Sequence, residues 1–170
     1  STINLENIMN NGKIVIMNLS QGRIGEDNAA LLGAMIITKL QLAAMNRVNI
    51  PEEQRRDFYL YVDEFQNFAT TSFIKILSEA RKYHLDLILA NQYSAQIDPA
   101  VRSAIFGNAG TIITFLVGAE DAPILAKEFG ERFTIDDILA LGNYQMIAKM
   151  CINSLTSSPF FAQSLPLPQS

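Results

Sequence analysis

The stretch FYLYVDEFQNF, Phe58 to Phe68, sets two adjacent carboxylates, Asp63 and Glu64, directly behind a run of large apolar and aromatic residues. A run of that length and makeup suits a β-strand. Charges are tolerated where a strand ends, but a buried Asp-Glu pair is costly unless a cation or a proton holds it. The pair therefore marks a place where a strand leaves its sheet and where chemistry can collect.

Similar runs recur on both sides. KIVIMNL (Lys13–Leu19), LDLILA (Leu85–Ala90), TIITFLV (Thr111–Val117) and YQMIAKM (Tyr144–Met150) are short and mostly apolar on both faces. Strands of that kind belong in a sheet covered on both sides, which is usually parallel. Helical patterns separate them. Glu26–Arg47 carries acidic residues at its start and Arg47 near its end, matching the helix dipole. Ser72–Tyr83 follows Thr70 and Thr71, either of which can cap it, and Asp98-Pro99 opens another helix. EDAPILAKEFG stops at Gly130, and Thr134 with Asp137 forms a capping box ahead of the last helix. The alternation predicts an α/β protein with three layers and a mostly parallel sheet. Residues 1–157 form the domain and 158–170, with SLPLPQS, an extended tail. The polar loop Asn46–Asp57 reads as an exposed excursion.

The apolar share of 49% and charged share of 18% indicate a folded chain and argue against disorder. A net charge of -4 supplies no basic field for a nucleic-acid backbone, so any DNA contact must be local or come from other segments. The single cysteine, Cys151, rules out an internal disulfide and reads as a buried small hydrophobe. No apolar run is expected to reach the length of a membrane span. The start, STINLENIMNNGK, lacks Met and reads as a cut through a longer protein.

In open α/β sheets, functional side chains gather at the carboxyl ends of the strands. Here those ends carry Ser20-Gln21-Gly22-Arg23, Asp63-Glu64 and Asn91-Gln92. An Asp-Glu pair behind an apolar strand has the form of a Walker B motif, in which Asp holds Mg²⁺ through water and Glu orients the attacking water. The same residues also fit a plainer arrangement, with Asp63 capping the turn and Glu64 exposed.

YLYVDEFQNF, ILSEARKYHLDLILANQY, IFGNAGTIITFLVGAEDA and LAKEF together resemble the C-terminal part of the ATPase domain of type IV secretion coupling proteins. These form the TraG/TraD family, related to the HerA and FtsK motors. The resemblance runs from about Gly12 to Pro168. It implies a RecA-like P-loop core using ATP and Mg²⁺, with Asp63 as the metal aspartate, Glu64 as the catalytic glutamate and Gln92 as a sensor. It further implies that Arg81 is presented to the nucleotide of a neighbouring subunit, a use that suits a planar, permanently charged guanidinium. His84 reads as a loop residue, and Glu120 and Asp121 as first-turn charge. Leu116 stands where many relatives have Arg.

No Gly-rich stretch ending in Lys-Ser or Lys-Thr occurs, and FGNAGT lacks the lysine. The Walker A segment is thus missing, and with it most of the phosphate grip. The resemblance implies a hexameric ATPase, at the cytoplasmic face of the membrane and anchored there only by upstream segments, that couples DNA to a secretion channel. This chain alone is then expected not to hydrolyse ATP. Partners implied are further copies, DNA, and relaxosome and channel proteins. Two alternatives are a docking module for relaxosome proteins, with Phe160 and Phe161 as a possible contact, and a HerA-like repair or packaging motor.

Overall fold

Two separate apolar cores organise the chain, and each belongs to its own compact unit. The computed structural model describes residues 3–70, 72–130 and 132–166. One unit comprises the chain up to Asn91 together with Gln96–Ile105, and the other Gln92–Ala95 together with the chain from Phe106 onward.

The first unit holds helices α1 (Leu5–Asn10), α2 (Gln21–Ile24) and α3 (Glu26–Met45), strand β1 (Phe58–Val62), helix α4 (Ser72–Glu79), strand β2 (Leu85–Leu89) and most of α5 (Pro99–Asn108). β1 and β2 run parallel in the register Phe58↔Leu85 to Val62↔Leu89, with α4 as the crossover between them. Phe58, Leu60 and Val62 pack on the core with Phe65, Phe73, Ile76 and Leu85, each fully buried large side chain contributing about 1.5–3 kcal/mol. Tyr59 and Tyr61 point the other way, 56% and 73% exposed. The ladder is therefore covered on one face among the described residues, not on both as its apolar composition suggested. Tyrosine explains the difference, since its ring counts as apolar while its hydroxyl accepts water.

α3 buries a stripe of Ala29, Gly33, Ile37, Leu40 and Ala44 at helical spacing, of which Ile37, Leu40 and Ala44 join the first core. Gly33 is required there, because a Cβ would overlap the ring of Phe68. By length and composition Glu26–Asn49 could cross a membrane, contrary to the expectation that no apolar run reaches that length. Asp98 caps α5 as expected, accepting from the Ala100 and Val101 amides at 2.9 and 3.3 Å. Of the two threonines before α4, Thr71 lies outside the described residues.

Lys13–Leu19 does not form a strand. Its residues are irregular, with Ile14 and Ile16 at 93% and 89% exposure. A strand exists only by pairing with a neighbour's backbone, and none of the described strands offers one to this run.

The second unit departs further from a mostly parallel sheet. β3 (Ile112–Thr114), β4 (Gln145–Lys149) and β7 (Phe160–Gln163) form an antiparallel sheet in the order β3-β4-β7. Between β4 and β7, β5 (Cys151–Ile152) and β6 (Leu155–Thr156) make a tight hairpin. Its central residues Asn153 and Ser154 have φ of 50° and 64°, the pair of positive angles of a type I′ turn. That turn reverses the chain, so the following strand returns antiparallel to β4. The register steps by one residue between Ala148↔Phe160 and Cys151↔Thr156, and the extra residue near Pro159 makes a bulge. Residues expected as a free tail thus contribute an edge strand, with Phe160 and Phe161 38% and 52% exposed. Cys151, expected to be buried, is exposed on the hairpin.

Helices α6 (Ala122–Glu128) and α7 (Ile135–Leu139) cover this sheet through Leu125, Phe129 and Ile138. Gly130 ends α6 at φ 66°, and Thr134 and Asp137 form the expected capping box ahead of α7.

Candidate functional site

The carboxylate pair is set by how β1 ends. The ladder continues past both strands: the Ala90 amide donates to Val62 O and the Phe65 amide to Ala90 O, both at 2.9 Å. Phe65 is 1% exposed and tilts against Phe73 with ring centroids 4.6 Å apart. Only Asp63 and Glu64 remain to make the turn between those anchors, and Glu64 takes the left-handed conformation at φ 49°, ψ 45°. That backbone costs a non-glycine residue about 1–2 kcal/mol, and such strain gathers at functional sites.

Asp63 is exposed and Glu64 half-buried. Asp63 Oδ1 accepts from the Glu64 amide at 3.0 Å, so the turn-capping arrangement is present. Glu64 Oε2 accepts from Gln66 Nε2. Gln66 Oε1 is buried with no hydrogen-bond partner, leaving one acceptor unmet beside Glu64. No cluster of three or more His, Cys, Asp or Glu that could cage a metal exists among the described residues. A lone aspartate of this kind fits Mg²⁺ in the mode that ion prefers, keeping several waters and relying on substrate phosphates.

Arg81 is exposed in the tight turn Ala80–Tyr83, at the amino end of β2. The carboxylates stand at the carboxyl end of β1, so the structure does not bring Arg81 to them. Gln92 is exposed and falls in the Gln92–Ala95 segment of the second unit, a different body from Asp63 and Glu64. Leu116, in the same unit as Gln92, is 57% exposed.

Two residues hold the Arg81 turn: Arg47, read from the sequence only as helix-end charge, and Arg55, which the sequence reading gave no role. Arg47 is 1% exposed. Its Nη1 donates to Arg56 O, Tyr83 O and His84 O at 2.9, 2.8 and 3.2 Å, and its Nε to Asn10 Oδ1 at 3.0 Å. Burial is the main cause that lowers its pKa from the usual arginine value; Arg55 adds to this and Asp57 opposes it. Arg55 Nη1 reaches Lys82 O, and its Nε reaches Arg47 O and Ile50 O. Three consecutive carbonyls after Arg81 are thereby taken by two guanidiniums, and His84 O also accepts from the Phe58 amide at 2.9 Å. His84 Nδ1 lies 2.7 Å from Asp57 Oδ1 in the same place. The loop 46–57 is in this respect a clamp and not a free excursion. Arg47 follows Leu40 and Ala44 at helical spacing on the buried face, and that phase was the available signal.

Asp121, read from the sequence as first-turn charge, turns its side chain away from its helix. It is 3% exposed and accepts from the Ser94 and Ala95 amides at 3.3 and 2.8 Å.

Residues 57–137 match the family model described as the TraM recognition site of TraD and TraG. No curated protein matches the chain in sequence. Among solved structures, the genome-packaging NTPase B204 of Sulfolobus turreted icosahedral virus 2, in complex with ATP-gammaS, is 15% identical with a TM-score of 0.63. The alignment covers 97% of this chain and 73% of that one. The bacterial conjugative coupling protein TrwB is 14% identical with a TM-score of 0.62, covering 85% of this chain and 39% of that one. At these identities the likeness concerns the fold: an α/β arrangement of the kind found in both proteins.

Proposed function

We propose, from the match of residues 57–137 to the family model of the TraM recognition site of TraD and TraG, that the chain is part of an ATP-driven, DNA-translocating coupling motor. The observation that carries the proposal is the strained Asp63-Glu64 turn, held at the carboxyl end of a parallel strand pair by Phe65 and Ala90. The likeness to TrwB and to a packaging NTPase supports the same reading. The core is then RecA-like, completed by a Walker A segment in a longer protein.

In this reading Asp63 holds Mg²⁺ through water, using the carboxylate oxygen that the Glu64 amide does not occupy. The bound ion would supply charge neutralisation on the phosphates. Glu64 orients the attacking water, and its own carboxylate is steadied by Gln66. Gln92 senses the terminal phosphate. Arg81, displayed away from its own carboxylates, serves the nucleotide of the next copy in a hexameric ring at the cytoplasmic face of the membrane. DNA is the cargo, and relaxosome and channel proteins are the partners.

The test is ATP turnover by the longer protein, with and without single-stranded DNA, for wild type and Glu64→Gln. Loss of a positioned carboxylate is expected to lower turnover on the order of 100-fold with nucleotide binding retained. Unchanged turnover would make the pair structural. A second reading, docking of a relaxosome protein, is favoured by the description of the family model itself, and it would then take first place.

A further inference from the structure

We infer that Asp121 is a positioning residue for Gln92: its buried carboxylate holds the backbone two and three residues after the glutamine. The inference rests on the proposed role of Gln92 and extends it to a residue in a distant part of the sequence.

Asp121 stands at the N-cap of α6, yet its side chain makes no cap hydrogen bond to that helix. Its backbone already holds it in place, with the amide on Gly118 O at 3.2 Å and the carbonyl accepting from the Leu125 amide at 3.1 Å. The carboxylate is free to reach outside its own helix. It takes the Ala95 amide on Oδ1 at 2.8 Å and the Ser94 amide on Oδ2 at 3.3 Å, one oxygen for each. At 3% exposure, a charge left without partners would be costly, and charge-assisted bonds to N–H donors are the stronger kind. Among the described residues no cation pairs with it, so these two amides are its principal compensation.

The consequence lies in the chain path. Gln92 follows directly on the end of β2, which belongs to the first unit, but Gln92–Ala95 is grouped with the second. Within that unit, the grip of Asp121 on residues 94 and 95 joins this short segment to the start of α6. A glutamine that must meet a phosphate within hydrogen-bond tolerance cannot sit on a loose strand end, since small misplacements are costly to turnover. Asp121 restrains the chain two and three residues beyond Gln92.

Two measurements test this. In the 170-residue chain, amide hydrogen exchange is followed for Ser94 and Ala95 in wild type and Asp121→Asn. Protection of Ala95 should fall about tenfold or more in the variant while the β4 amides keep theirs, because a charge-assisted bond is replaced by a weaker one. Equal exchange in both proteins would overturn the inference.

In the longer protein, Asp121→Asn should lower kcat about tenfold with little change in KM, and should cost nothing further on a Gln92→Ala background. Equal losses in both backgrounds would mean a merely structural residue and would overturn the inference. If Gln92→Ala itself leaves turnover unchanged, the sensor role falls and this inference falls with it, whereas the motor reading still stands or falls with Glu64. Should Asp121→Asn fail to fold, Ala95→Pro removes the donor and keeps the carboxylate. It should reproduce the selective loss of kcat, and wild-type kcat in that variant would overturn the inference.

Discussion

Glu64 and Arg81 stand at opposite ends of one parallel strand pair: Glu64 follows the carboxyl end of β1, and Arg81 precedes the amino end of β2. Five paired positions separate the two edges, about 13–16 Å at the rise of a strand. One copy therefore cannot bring both side chains to one phosphate without dismantling the ladder.

Together with the proposed motor reading, this separation gives a complementation result for the longer protein. Glu64→Gln and Arg81→Ala should each abolish turnover alone, the arginine change on the order of a thousandfold. Mixing the two variants should restore part of it, because a site with an intact Glu64 can meet an intact Arg81 from the neighbouring copy. ATPase assays on mixed assemblies check this; no recovery would place both residues in the same site.

Arg47→Met should destabilise the chain by about 2–3 kcal/mol, since it removes the donor from several part-buried acceptors at once. Arg47→Lys should rescue little of that loss, because an ammonium cannot reproduce the planar fork. Urea unfolding of the 170-residue chain measures both.

Gly33→Ala tests packing against propensity. On an exposed helix the change would stabilise by about 1 kcal/mol. Here the new methyl meets the Phe68 ring, so we expect a loss of about 1–3 kcal/mol from overpacking. A rise in Tm would show that the ring yields.

The pH dependence of the α7 cap has a defined sign. The Thr134 amide, and then its hydroxyl, hold the Asp137 carboxyl below its usual value. A depressed folded pKa means the cap's contribution is complete above the unfolded aspartate pKa and is lost as pH falls through the lower folded one. Carbon NMR of the Asp137 carboxyl should show a midpoint below that of a free aspartate. Thr134→Ala should return it toward the ordinary value.

Much of this was legible in sequence where the signal is local. β1, β2 and β4 follow from apolar runs of strand length, and the Asp98 cap and the Thr134–Asp137 box from short-range side-chain chemistry. What escaped depends on contacts far along the chain. Arg47 is buried because Tyr83 and His84 come to it, and Asp121 is buried because Ser94 and Ala95 do. The direction of β7 was hidden in Asn153-Ser154, a turn pair less conspicuous than Asn-Gly. Lys13–Leu19 failed for the converse reason: its pattern suits a strand, but pairing is a property of two segments and not of one.

The path of the chain between the two units has an evolutionary meaning. The backbone passes from one to the other after Asn91, returns at Gln96 and leaves again at Phe106. No single crossover in a gene can therefore exchange one unit while leaving the other whole. A recombinant joined between Gln96 and Phe106 would take residues 92–95 from one parent and the rest of the second unit from the other, so the two units should descend together as one heritable block.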